Sequence, residues 1–411
     1  MPPAVLVLGL SVFALGTSEF MLSGLLEPLA RDMDVSIPQA GLLVSAFAVG
    51  MVVGAPLLAA ATLRLPRRTT LIALLAVFGL GQVAGALAPS YDVLFASRVV
   101  SALACAGFWA VGAAVAMSLV PVHARARAMA VMVGGISVAN IVGVPAGAFL
   151  GQSAGWRSAF WAVAALSAVG LVGVVTTVPR TEPPTGDETP RLRRELRIYR
   201  DRQVWITLTT IALTAAAGFA VFSYLSPLLT RTAGLEERWV PWVLALFGLG
   251  ALLGTWLGGR LADTHLFGTM YAGMSAATVV LGVLALVAHS PSAAVALAFL
   301  LGLAVFTAAP ALNARMFEVA DAAPTLAGAT TTASFNIGNT LGPWLGGLVI
   351  GAGWGFTAVA WTGAALAAGA LLAAVTAARV SRRPAAAGGT GAARYGSGAS
   401  ADREAADVTS R

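Results

Sequence analysis

Two ionisable side chains, Glu19 and Arg98, lie well inside the long apolar stretches of this 411-residue chain, whereas the other charges fall in short gaps or in the tails. An ionisable group at the centre of a helix in hydrocarbon costs roughly 2.5–3.5 kcal/mol. A chain that keeps an acid and a base there has a use for them. The chemistry open to such a pair is proton exchange: a carboxylate holds the guanidinium, and a protonated carboxyl releases it.

The elements that position them must be membrane helices. Hydrophobic residues make up 58% of the chain and charged residues 10%, against about 25% charged in soluble domains. A soluble protein of this size would lack the polar side chains to cover its surface, so the sequence reads as a polytopic all-α membrane protein. All 25 basic residues are arginines, and the net charge is +7. In a soluble protein that excess would suggest nucleic acid; here the arginines concentrate on one side of the spans, so no nucleic-acid partner is expected and their role is topogenic. Cys105 is alone, and His123, His265 and His289 are scattered, which argues against a disulfide or a metal site. Apolar segments continue throughout, so no cleavable leader is expected.

A spanning helix needs about 20 mainly apolar residues. Twelve stretches qualify: 4–26, 40–62, 69–88, 92–119, 128–151, 157–178, 204–229, 239–259, 266–288, 292–312, 325–350 and 354–378. One set of gaps holds Arg64, Arg67, Arg68, Arg125, Arg127, the 180–202 group, Arg260, Arg315, Arg379, Arg382 and Arg383; the other holds Arg31, Arg157, Arg231 and Arg238. The positive-inside rule puts the first set and both termini in the cytoplasm. Residues 1–178 and 204–380 then form two six-helix bundles, and 179–203 is a linker whose 191–200 run reads as an amphipathic surface helix. The polar 381–411 tail, rich in Gly, Ala and Ser, is expected to be disordered.

Depth relates the two buried charges. Arg98 is about six residues into span four from Asp92, roughly 9 Å at 1.5 Å per residue, and Glu19 is about seven residues before Leu26, roughly 10 Å from the same face. The expectation is that they meet as a proton-sensitive pair. The bland alternatives are a packing hydrogen bond for Glu19, and for Arg98 snorkelling to headgroups or pairing with Asp92. Glu27, nearer the end of span one, reads as solvated.

The halves repeat at an offset near 200. Gly50 and Gly54 match Gly250 and Gly254, Pro145 matches Pro343, and Gly155-Trp156 matches Gly353-Trp354. Parallel repeats about an axis along the membrane normal, with substrate at the midplane, are one transporter plan.

The segments 16–24 (GTSEFMLSG), 40–50 (AGLLVSAFAVG), 98–108 (RVVSALACAGF) and 258–263 (GGRLAD) resemble the major facilitator superfamily, over residues 1 to about 380. More narrowly, the chain is similar to twelve-span drug:proton antiporters, among them the actinobacterial chloramphenicol exporters. The resemblance implies export of an amphipathic antibiotic, driven by the proton gradient without a bound cofactor, by a monomer in the cytoplasmic membrane. No GxxxxGK[ST] loop for ATP is present, and no constellation for an enzyme that would modify the drug is found. A sugar or metabolite exporter of the same fold is the alternative, disfavoured by the few hydroxyl-pairing groups in the spans.

The family's loop after span two carries an Asp that latches helix ends. Leu63 stands in its place here, whereas the repeat copy keeps Asp263, so gating is assigned to Asp263 with Arg260 or Arg315. The Gly143-Val-Pro-Ala-Gly147 segment matches the family's antiporter motif, in which glycines admit close packing and Pro145 bends span five. For the drug, an apolar aromatic cavity with few polar groups is expected, and the candidates are Phe108, Trp109, Asn140, Phe222, Tyr224, Asn336 and Asn339.

Overall fold

The computed structural model describes residues 1–62, 65–180, 196–320 and 324–381. Among these the chain is helical with no strand. Ten stretches are long and apolar enough to cross a membrane. One of them, Glu237–Val287, has 51 residues and crosses twice, turning where His265 leaves helical geometry at φ −142° and ψ 69°. The Pro324–Gly351 helix, whose Thr and Asn residues lower its apolarity, completes twelve.

In chain order the spans are Pro3–Gly24, Ile37–Thr62, Arg67–Ala86, Tyr91–Ser118, Arg127–Ala154, Arg157–Thr177, Arg202–Ser223, 240–264, 266–287, Pro291–Val319, Pro324–Gly351 and Thr357–Ser381. Spans eight and nine are separate helices, as expected, and they meet directly at the His265 kink. Span seven was expected to continue to 229, but it breaks at Tyr224 and resumes as a wide π turn over Leu228–Thr232. Pro227, which lacks an N–H, precedes that turn. Of the expected surface helix at 191–200, only Leu196–Arg200 is described, as a 3-10 turn; the rest and the expected disordered tail beyond Ser381 lie outside the described residues.

The repeated residues do matching work in the two halves. Gly50 and Gly54 let span two close on span four: a Cβ on Gly50 would sit 2.6 Å from the Ala102 Cβ. Gly250, Gly254 and Gly258 do the same between spans eight and ten, where a Cβ would meet the carbonyl oxygens of Phe299, Leu303 and Thr307 at 2.2–2.4 Å. Gly155 and Gly353 both adopt left-handed φ, 80° and 82°, a conformation that costs a residue with a Cβ. Spans one and seven break at corresponding places, and Ser23 and Ser223 each bury an unpartnered hydroxyl there. Because the obstacle at Gly254 is backbone, Gly254→Val is expected to cost about 1–3 kcal/mol by overpacking, read as a lower thermal midpoint of the purified protein in detergent.

Candidate functional site

The arginine-poor ends of the two halves are joined. Glu27, buried at 5% exposure, accepts from Arg231 at 2.9 Å and from the Thr230 hydroxyl at 3.0 Å, both beyond the break in span seven. Arg31 bridges Glu27 at 2.9 Å and Glu237 at 3.1 Å. The Gln152 amide donates to the Glu237 carbonyl. Deeper in the same seam the Ser45 hydroxyl donates to the Thr340 carbonyl at 3.0 Å, and Tyr224 donates to the Pro343 carbonyl at 2.9 Å. A Cβ on Gly41 would lie 2.1 Å from the Tyr224 hydroxyl, so the glycine is what admits the ring between spans two and eleven.

Glu27 was expected to be solvated, and that expectation is corrected. Its burial works against ionisation, but hydrogen bonds from Arg231, Arg31 and Thr230 outweigh burial and hold its carboxyl below the ordinary carboxylate value. Among the described residues, every hydrogen bond, ion pair and ring contact between the halves lies in the arginine-poor half of the bundle. At the arginine-rich face none joins them, so the molecule is closed at one face and unlatched at the other.

Beneath the seam sits an aromatic cluster. Phe20 of span one meets Phe219 and Phe222 of span seven at centroid distances of 5.4 and 6.4 Å. Phe222 stacks on Phe247 at 4.5 Å, and Phe247 meets Phe306 at 6.4 Å. Gly248 packs against the carbonyl of Asn140, where a Cβ would be 2.5 Å away. Spans one, five, seven, eight and ten thus converge on one apolar patch at the junction of the halves.

Arg98 is fully buried. Its Nη1 donates to the Ser18 hydroxyl at 2.8 Å, and its guanidinium lies 4.3 Å from the centroid of the Phe47 ring. Ser18 donates to the Gln82 carbonyl oxygen at 3.1 Å, and the Gln82 amide donates to Ser101 at 3.1 Å. Spans one, three and four are therefore tied by one buried polar chain. The Nε and Nη2 groups of Arg98 have no partner.

Glu19 follows Ser18 directly, yet the expected contact pair with Arg98 is not formed. Glu19 is half-buried and makes no hydrogen bond or ion pair among the described residues, although its charge and that of Arg98 attract through the packed interior. The reason is local: Ser18 takes the guanidinium and Phe47 covers its face. Asp92, the alternative partner, is exposed.

In span five a π turn over Ala139–Gly143 precedes Pro145. A Cβ on Gly143 would stand 2.1 Å from the Thr17 hydroxyl, and one on Gly147 would stand 3.2 Å from the Met21 Cβ. The motif glycines therefore bring the bent span against span one within two residues of Glu19. The Asp263 latch is not formed in this state: Asp263 is exposed with no partner among the described residues, Arg260 lies over the Trp256 ring at 4.1 Å, and Arg315 pairs with Glu318 at 3.0 Å.

The seven drug candidates do not form one site. Phe222 belongs to the ring cluster, and Asn140 flanks it with its amide donating to its own helix at Ile136. Asn336 and Asn339 are buried on span eleven, each with an unpartnered Oδ1. Trp109 is half-buried against the core of its own half. Phe108 is fully buried inside the N-terminal half, facing Gly112 and Met132, and Tyr224 is taken up in the seam, so neither reaches an opening in this state. Sequence reasoning missed Ser18, Gln82, Phe47 and the other rings. Gln82 had a signal: it is the one amide in the middle of span three.

Two joined bundles of six membrane helices, closed at one face, with a buried polar chain around Arg98 in the first, have the architecture of a polytopic transporter. The chain belongs to the Major Facilitator Superfamily, whose family model matches residues 8–335. It is 39% identical over 368 residues to the inner membrane transport protein YdhP of Escherichia coli (strain K12), covering 90% of this chain and 94% of that one. It is 40% identical over 375 residues to a chloramphenicol resistance protein of Streptomyces lividans, covering 90% and 95%. A bacterial homologue of the human lysosomal transporter Spinster, solved inward-facing and occupied, shares the fold at a TM-score of 0.72 and 19% identity over 91% of this chain and 96% of that one.

Proposed function

We propose that the chain is a proton-coupled antiporter that exports a small amphipathic antibiotic of the phenicol type, with chloramphenicol as the leading substrate. Its arginine-rich face and both termini lie on the cytoplasmic side of the cell membrane. The observation that carries the reading is Glu19: an acid inside span one, partly accessible, with no hydrogen bond or ion partner among the described residues, one residue from the serine that holds a fully buried arginine. Such an acid is free to take and give up a proton, and its charge is felt by the element that ties spans one, three and four. The likeness to the Streptomyces lividans protein supports the substrate.

In this reading the state described is inward-open. Drug enters from the cytoplasm or inner leaflet and rests against the rings of Phe20, Phe219, Phe222 and Phe247. Opening of the Glu27 seam and closing of the arginine-rich ends release it outward, and the Asp263 region forms its contacts in that second state. A proton taken up by Glu19 from outside favours the return.

The test is drug accumulation in cells. Cells producing the protein should hold less chloramphenicol than cells without it, and an uncoupler should remove the difference. Equal accumulation, or a difference that survives the uncoupler, would refute a proton-driven phenicol exporter.

A further inference from the structure

At the arginine-rich face, the start of span three and the end of span six border an open-sided cavity of about 420 Å³ lined by Pro66, Arg68, Thr69, Ile72 and Arg180. We propose that it binds the phosphodiester of an anionic phospholipid from the leaflet at that face. Its lining holds two arginines and no acid. Arg68 is anchored by donating from Nη2 to the Val175 carbonyl in the last turn of span six, while its buried Nε has no partner. The site also sits at the start of span three, a 20-residue helix whose first N–H groups receive no side-chain cap. The Thr70 hydroxyl is turned back to the Pro66 carbonyl. A helix start with free N–H groups and positive dipole end favours an anion, and here the guanidinium of Arg68 and that of a second arginine, Arg180, line the same cavity.

The surroundings choose a lipid over a free phosphate. The cavity lies where span three begins and span six ends, which is headgroup level. Leu65, Val172 and Val175 around it are exposed at 49%, 63% and 42%. Apolar side chains beside the arginines would receive acyl chains while the phosphate takes the charged pocket. Basic pockets between membrane helices at the cytoplasmic side are suited to such headgroups.

The test uses the purified full chain in detergent, with bound lipid measured by native mass spectrometry. Phosphatidylglycerol, phosphatidylcholine and inorganic phosphate are titrated separately. Phosphatidylglycerol should bind more tightly than phosphatidylcholine. Arg180→Gln should weaken phosphatidylglycerol about fivefold, the equivalent of one arginine at a membrane surface. Arg125→Gln, an exposed arginine of the same face outside the cavity, should leave binding unchanged. Arg180 is exposed and makes no hydrogen bond or ion pair among the described residues, so its replacement should leave folding intact; an unchanged thermal midpoint checks this. Unchanged binding in Arg180→Gln, or equal weakening in Arg125→Gln, would overturn the site. Displacement of phosphatidylglycerol by inorganic phosphate at equal concentration would assign the cavity to a soluble anion and overturn the lipid.

Discussion

Glu19→Gln is expected to abolish proton-driven export while leaving the protein folded. Glutamine keeps the shape of the side chain but cannot exchange a proton, and no hydrogen bond or ion pair is lost, because Glu19 makes none among the described residues. For each proton exchanged, a pH difference of one unit sustains about a tenfold drug gradient, the equivalent of ~1.4 kcal/mol. In everted vesicles with such a gradient, the wild type should concentrate chloramphenicol and Glu19→Gln should only equilibrate it, so the accumulation ratio falls about tenfold. Facilitated exchange of drug down its own gradient should survive, which separates loss of coupling from loss of the protein.

Glu27→Ala is expected to open the arginine-poor seam. A bond to a charged group contributes about 1.5–3 kcal/mol when enclosed, but Arg31 and Arg231 are 60% and 47% exposed, so solvent screens part of it. A net 1–3 kcal/mol shifts the balance between states about 5–150-fold. Ser45→Cys, in the seam, reports it through labelling by a membrane-impermeant thiol reagent; the native Cys105 is buried and adds little background. The labelling rate should rise in Glu27→Ala by that factor, and an unchanged rate would remove Glu27 from the latch.

The same carboxyl fixes a sign for pH. Its value in the closed state lies below the ordinary 4.5, after burial is outweighed by Arg231, Arg31 and Thr230. A depressed value means that the latch is fully present above the ordinary value and is lost only as pH falls through the lower one. Between about pH 6 and 8 the latch therefore does not titrate. Any pH dependence of seam labelling in that window beyond that of thiolate formation itself should disappear in Glu19→Gln and persist when Asp263 is replaced by Asn.

The spans were legible because hydrocarbon demands runs of about 20 apolar residues, and the repeat because glycines are required where backbones touch, as at Gly50 and Gly250. Glu27 was not legible. Its neighbours in sequence mark a solvated helix end, and what buries it is Arg231 and Thr230, more than 200 residues away. Arg98 was recognised as a buried charge, but its partner was assigned by charge instead of geometry. The neutral Ser18, itself held by Gln82, takes one of its donors, and a hydroxyl gives no electrostatic signal in a sequence. Asp263 was assigned a latch from the family pattern, and in the state described it is exposed with no partner among the described residues.

The most direct measurement is the collapse of a pH gradient on adding drug. Everted vesicles are acidified inside, and the gradient is followed with a quenched acridine dye. Chloramphenicol should restore fluorescence in vesicles holding the wild type and leave it quenched in those holding Glu19→Gln. Equal recovery with Glu19→Gln, or wild-type transport of chloramphenicol with no recovery, would contradict proton exchange at Glu19.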